Sequence, residues 1–166
     1  MTDTLAETEA RFRADPSAAR SAPAVTATLV NGHARLSAGA FNWEADLPPA
    51  LGGQNLAPSP TAYLLGALAG CAVAFLADTL APQFGVRIDG VTAVARCQSD
   101  ARGLLGMDGA TPDLSGLELD VEVASPDPAE KTEPMLAAWR ERCPIFLALL
   151  KPNEVALTTR TAAAAA

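Results

Sequence analysis

Three cysteines, one histidine and a few arginines carry most of the chemistry open to this 166-residue chain. Cys71 lies in Leu64-Leu65-Gly66-Ala67-Leu68-Ala69-Gly70-Cys71-Ala72, a run without charge. A thiol there is either a small buried hydrophobe or a redox nucleophile, and the run itself leaves both open. Gly66 and Gly70 share one helix face, where they remove side chains and let another backbone come close. A mid-helix glycine costs about 1 kcal/mol relative to alanine, so two of them imply a packing need. Cys143 is followed by Pro144, which places it at a helix N-cap, where free amides and the helix dipole favour a thiolate. Arg140 and Arg142 add positive charge nearby; the alternative is that Cys143 packs beneath the kink. Cys97 falls in an alternating strand and reads as structural. Arg35, Arg87 and Arg96 read as solvated strand residues. No CxxC is present, and His33 with three widely spaced cysteines offers no zinc ligand cluster, so no metal is expected.

Composition narrows the field further. The formal charge is −7, and the twelve Lys and Arg are scattered, which argues against a nucleic-acid partner. Hydrophobic residues make up 49% of the chain and aromatics 5%, so a core must rest on Leu, Val and Ala. Three cysteines cannot all pair, and the N-terminus reads as no signal peptide; a reducing, cytoplasmic location is expected. Nothing from Leu47 to Ala77 is charged, but the apolar run Ala62 to Ala77 falls short of the roughly 20 residues a membrane helix wants. Its alanine and glycine content and the Asp78 that closes it predict a buried core helix and no membrane partner.

The elements that must position these residues follow in order. Residues 1–22 read as an N-terminal arm with a helix from Leu5 to Ala14, stopped by Asp15-Pro16. Val25–Val30, the Asn31-Gly32 turn and His33–Ser37 predict a hairpin, with a third strand from Phe41 to about Asp46. In that strand Phe41, Trp43 and Ala45 share a face opposite Asn42, Glu44 and Asp46, the alternation of a half-buried antiparallel sheet. Ser59 as N-cap and Pro60 at the first position begin a helix to about Leu80, before Pro82. Strands are expected at Arg87–Ile88, Val91–Cys97 and Leu117–Ala124, with a long loop over Gly103–Gly116. A helix from Glu130 to Arg142 presents Met135, Leu136 and Trp139 to the core, and a second runs Ile145–Leu150. Val155–Thr161 is expected as a last strand, before a frayed alanine tail over 162–166. One domain over 23–161, with strands grouped apart from helices, is α+β.

Gly52-Gly53, Pro58-Ser59-Pro60 and the Leu64–Cys71 run together resemble the first cysteine motif of the OsmC/Ohr family. Cys143-Pro144-Ile145-Phe146-Leu147-Ala148-Leu149 is similar to its second. The separation of 72 residues and the strand–helix order over residues 25–161 also fit. The resemblance implies an intertwined homodimer, with antiparallel sheets wrapped around long central helices and each site at the subunit interface. It implies a thiol peroxidase that reduces organic hydroperoxides, small and hydrophobic, with no organic cofactor or metal. Cys71 would attack the peroxide and become a sulfenic acid, Cys143 would condense with it to a disulfide, and an external dithiol would reset the pair. An arginine from the N-terminal strands, here Arg35, would act with a glutamate just after the helix-opening proline.

At the matching positions this chain has Thr61 and Ala62, so the expected carboxylate is missing, and Glu44 or Asp46 is left as a replacement. That departure keeps two other readings open. One is a non-catalytic relative that binds a small hydrophobic ligand or senses redox state through the same pocket; the other is a structural dimer with buried, inert thiols.

Overall fold

The structure is a computed structural model that describes residues 4–151 and 153–161. Helix α1, Leu5–Ala14, opens on a capping box in which Thr4 and Glu7 satisfy one another's backbone amides. It is tied to the rest of the chain by the Gln83 side-chain amide donating to Glu9 at 2.9 Å.

Strands β1 (Thr26–Val30), β2 (His33–Ala38) and β3 (Phe41–Ala45) form an antiparallel meander. Asn31 and Gly32 both have positive φ, 53° and 87°, which is what a tight two-residue hairpin turn requires and these two residues tolerate. The register pairs Leu36 with Trp43 and Ala34 with Ala45 on one face, and Arg35 with Glu44 on the other. Asp46, buried at the end of β3, then organises the connection to the next helix. Its carboxylate accepts the amides of Leu47, Gln54 and Leu56 at 2.8–3.0 Å. The chain passes so close to itself here that any Cβ on Gly53 would fall on the Leu47 carbonyl.

Helix α2 runs Pro60–Phe84. Ser59 caps it by accepting the Ala62 amide at 3.2 Å, with Pro60 at the first position, where no N–H is needed. Strand β4 (Gly90–Gln98) pairs antiparallel with β5 (Ser115–Ala124), with the one-turn helix α3 (Ala101–Leu104) between them. Helices α4 (Ala129–Arg142) and α5 (Pro144–Leu150) follow. The core joins the C-terminal half of α2 to α4: Ala72, Leu76, Leu80 and Ala81 meet Met135, Ala138 and Trp139, with Val86 and Cys143 enclosed. Val91, Ala93, Leu119, Val121 and Val123 cover it from the β4–β5 sheet.

Strands β1–β3 contribute nothing to that cluster. Their apolar face and the α2 residues Tyr63, Gly66 and Ala67 instead line an open cleft of about 740 Å³. The fold is thus α+β, as the grouping of strands and helices predicts, with its N-terminal sheet held out from the core.

Several expectations need correction. The long helix does not stop before Pro82. It opens into a π-helical turn over Phe75–Leu80, continues past the proline, and ends at Gly85 in the left-handed conformation, φ 62°. The widened turn accommodates a residue with no N–H to give and a ring that crowds the preceding carbonyls. Arg87–Ile88 is not a strand, because the Arg87 amide is taken by the Asp127 carboxylate at 2.7 Å and its carbonyl by the Ser125 hydroxyl at 2.6 Å. The Gly103–Gly116 stretch begins inside α3, whose first turn is capped by Asp100. Val155–Thr161 is not a strand: it pairs with no strand among the described residues. Phe41, expected on the half-buried face, is 76% exposed. The alanine tail over 162–166 lies outside the described residues.

Candidate functional site: a pair of facing thiols

Cys71 comes from the middle of α2, and Cys143 from the junction between α4 and α5. The junction is local chemistry: Pro144 cannot continue α4, so Cys143 leaves the helical region (φ −67°, ψ 112°) and the chain restarts as α5. Packing of α5 on α2 then brings the Cys143 thiol to donate to the Cys71 sulfur at 3.4 Å, across 72 residues of sequence. Both thiols are reduced. Cys143 is fully buried, whereas Cys71 is partly open. Cys97 is half-buried on β4 and has no bond to either of these thiols among the described residues.

The electrostatics divide between two opposing causes. Burial pushes the Cys71 thiol up from its ordinary 9.0, and Cys143 pushes it further, since its sulfur can also accept the Cys71 S–H and its charge would repel a Cys71 thiolate. The amide of Ile145 pulls the other way by donating to the Cys71 sulfur. The free amide at the start of α5 therefore serves Cys71, not Cys143 as the N-cap position predicts. Among the described residues no cation acts on Cys71. Among the described residues neither Arg140 nor Arg142 bonds to either sulfur.

Arg35 lies on the polar face of the N-terminal sheet, 52% exposed, with its guanidinium 3.6 Å from Glu44. The protomer does not bring it to the cysteines. Of the two candidate carboxylates, Asp46 is engaged by loop amides, while Glu44 is shared between Arg35 and the buried His33, whose Nε2 is 3.4 Å away. Tyr63, a residue the sequence reading passed over, donates its hydroxyl to the Glu44 carbonyl at 2.5 Å and so links the start of α2 to β3. Periodicity places Tyr63 two turns before Cys71 on the same helix face, but nothing in the sequence points to its partner.

A mostly apolar cavity of about 170 Å³ is lined by Leu68, Leu117, Leu119, Phe146, Leu149 and Leu150, with Glu118 as its one charged residue; neither cysteine lines it. Leu68 is one helical turn from Cys71, and Phe146 one turn from Cys143. Two sulfurs this close can pass from dithiol to disulfide, and Cys71 is the more open of the two.

A family profile described as OsmC-like protein matches residues 52–158, which include both cysteines and the helices that carry them. The chain belongs to the OsmC-like family. Solved structures agree on the fold. An OsmC-like protein from Mycoplasma pneumoniae superposes with a TM-score of 0.64 at 21% identity, covering 78% of this chain and 88% of the other. An organic hydroperoxide resistance protein OsmC from Legionella pneumophila gives 0.57 at 17% identity, covering 78% and 89%. An organic hydroperoxide resistance protein from Elizabethkingia anophelis gives 0.57 at 17%, covering 78% and 88%. No curated protein matches the sequence.

Proposed function

We propose that this protein is a thiol peroxidase for small apolar organic hydroperoxides, acting as a homodimer in a reducing, cytoplasmic compartment. The observation that carries the reading is the 3.4 Å approach of a partly open Cys71 to a fully buried Cys143. The exposure difference supports the roles proposed for the two. The Cys71 thiolate attacks the terminal peroxide oxygen; the O–O bond breaks, the alkoxide leaves and takes a proton as the alcohol, and Cys71 becomes a sulfenic acid. The Cys143 sulfur then attacks Cys71, an S–S bond forms, and the hydroxyl leaves with the Cys143 proton as water. A dithiol reduces the disulfide by two exchanges and is itself oxidised. The apolar cavity lined by Leu68 and Phe146 would take the alkyl part of the substrate.

The homodimer is supported by surface left open in the protomer. On α2, Ala62, Gly66, Gly70 and Ala74 recur every fourth residue and are exposed, and a Cβ on either glycine would meet nothing within 4 Å. The close backbone approach those glycines predict is therefore absent from the protomer and is left to a second copy. Arg35, held by Glu44 on the projecting sheet, is the cation we assign to the site once the dimer forms.

The test is a single turnover. Reduced protein at neutral pH receives one equivalent of cumene hydroperoxide or of hydrogen peroxide, and the cysteines are mapped by mass spectrometry. A Cys71–Cys143 disulfide, formed faster with the organic peroxide, is expected; Cys143→Ser should stop at the Cys71 sulfenic acid, and Cys71→Ser should do nothing. Thiols that stay reduced for minutes would end the peroxidase reading. The rival, a non-catalytic protein that binds a small apolar ligand, is favoured by one observation: burial raises the Cys71 thiol and Thr61 and Ala62 supply no carboxylate. In that case Cys71→Ser would keep its ligand.

A further inference from the structure

His33, the chain's one histidine, is buried and takes no part in the reaction above. Its side chain is 8% exposed, and neither ring nitrogen has a hydrogen-bond partner among the described residues. A buried polar group left in that state calls for a physical reason, because its lost hydration is not made good. The strand pattern supplies one. His33 and Arg35 share a face of β2, and the register sets Glu44 of β3 opposite Arg35. A single carboxylate oxygen, Glu44 Oε1, lies 3.4 Å from His33 Nε2 and 3.6 Å from Arg35 Nη2. Neither approach is a hydrogen bond, so the carboxylate is committed to neither partner.

We propose that His33 is a positioning residue for Arg35: a proton on its ring draws Glu44 away from Arg35 and releases Arg35 to Cys71. The inference rests on the reading of Arg35 as the cation for Cys71 in the dimer, and adds what controls that cation. The two positive groups compete unequally. A buried imidazolium has lost its water and needs a carboxylate beside it, whereas Arg35 is 52% exposed and can take water in exchange. While the ring is neutral, Arg35 is the one cation that the described residues bring to Glu44, and it stays on the sheet. Glu44 itself is anchored, because the Tyr63 hydroxyl of α2 donates to its carbonyl at 2.5 Å. The other groups facing His33 do not replace Glu44. Asp46 feels the charge of the ring, but its carboxylate is engaged by the amides of Leu47, Gln54 and Leu56. The rest of the 380 Å³ cleft beside the ring, from β1, the 47–53 loop and Pro60, brings no titratable side chain. Imidazole changes charge between about pH 5 and 8, so the exchange of partners operates around neutrality.

The test follows the rate of disulfide formation with one equivalent of cumene hydroperoxide as the pH of the full chain is lowered from about 7.5 to about 5.5. Acid protonates the thiolate in every variant, so the reading is the difference between variants. His33→Gln, which fills the site but takes no proton, is expected to lose about tenfold more rate over that interval than the wild type. On a Glu44→Gln background, where Arg35 is free at every pH, His33→Gln should make no difference. A second measurement leaves the buried ring unchanged: NMR of the one histidine across pH, in the wild type and in Arg35→Met, a change at an exposed position. Without the competing cation, the ring should keep its proton to higher pH by about 0.5 unit. Equal pH profiles for wild type and His33→Gln, or a ring indifferent to Arg35→Met, would overturn the proposal and leave the peroxidase standing. Arg35→Met reacting as fast as the wild type would remove the assignment of Arg35 and this role with it. A protein that reduces no peroxide at any pH would remove the peroxidase reading as well.

Discussion

At Cys71 the balance is between a buried, neutral thiol and the one amide, from Ile145, that favours the anion. Burial and the Cys143 thiol win in the protomer, so Cys71 is mostly protonated at neutral pH unless a cation arrives from outside. Its alkylation by iodoacetamide, followed on the Cys71 peptide under conditions that keep the protein monomeric, should still be rising at pH 9. Removing both Cys143 effects, the hydrogen bond and the charge, with Cys143→Ala should shift the rise to lower pH. If the dimer reacts with a midpoint well below that of the monomer, the cation has been supplied across the interface, and Arg35→Met should abolish the difference. Asp46 is the opposite case. The Leu56 amide first, then those of Leu47 and Gln54 and the charge of His33, hold its carboxyl below the ordinary 3.8. A depressed carboxylate contributes stability that is present above the unfolded value, near 3.9, and lost as pH falls through the folded one. Thermal stability of the wild type should therefore drop on acidification below about pH 4, and Asp46→Asn should lower it at neutral pH while flattening that drop.

Among the elements, those governed by local chemistry were legible. The Asn31-Gly32 hairpin, the position of β3, the Ser59-Pro60 helix start, the Pro144 break and the alternating strand β4 all fall where residue types and spacing put them. What failed was decided at longer range. Pro82 reads as a terminator, but Leu80 at the end of the π turn and Ala81 just after it are core residues, and burying them outweighs the lost hydrogen bond. Arg87 looks β-prone, but Asp127, forty residues away, claims its amide. For the site, both cysteines and their pairing were readable as a family resemblance; that the amide at the start of α5 serves Cys71, and that Tyr63 reaches Glu44, depend on packing no periodicity encodes. Gly53 is a case where a local reading was incomplete. It lies in a recognisable Gly-rich loop, yet its role is to let the chain pass the Leu47 carbonyl beside Asp46. Gly53→Ala should destabilise by about 3 kcal/mol, because a backbone atom has to give way, whereas Gly66→Ala, facing open space, should not. Urea unfolding of the two variants against wild type makes the comparison.

Over the whole molecule, the protomer has one closed core and one open half. The core runs from Ala72 of α2 through Met135 and Trp139 of α4, and Leu76→Ala within it should cost about 3 kcal/mol. The open half is the N-terminal sheet, the first turns of α2 and their shared cleft, which together leave a long apolar helix with its small-residue stripe in solvent. Two glycines on such a stripe are a liability in isolation, since each costs about 1 kcal/mol of helix propensity relative to alanine. They make sense if the energy is returned by a second backbone at close range. The Gly66→Ala/Gly70→Ala double variant separates the two situations. Monomer held below the dissociation constant should become more stable by about 1–2 kcal/mol, because a Cβ at either position meets only solvent. The dimer should at the same time weaken, because added methyl groups keep the second chain away from the stripe, and with it the peroxide reaction should slow if Arg35 is delivered across that interface. Gains in both monomer and dimer stability would mean the stripe is not a contact surface. The cation for Cys71 would then have to be sought elsewhere in the same protomer.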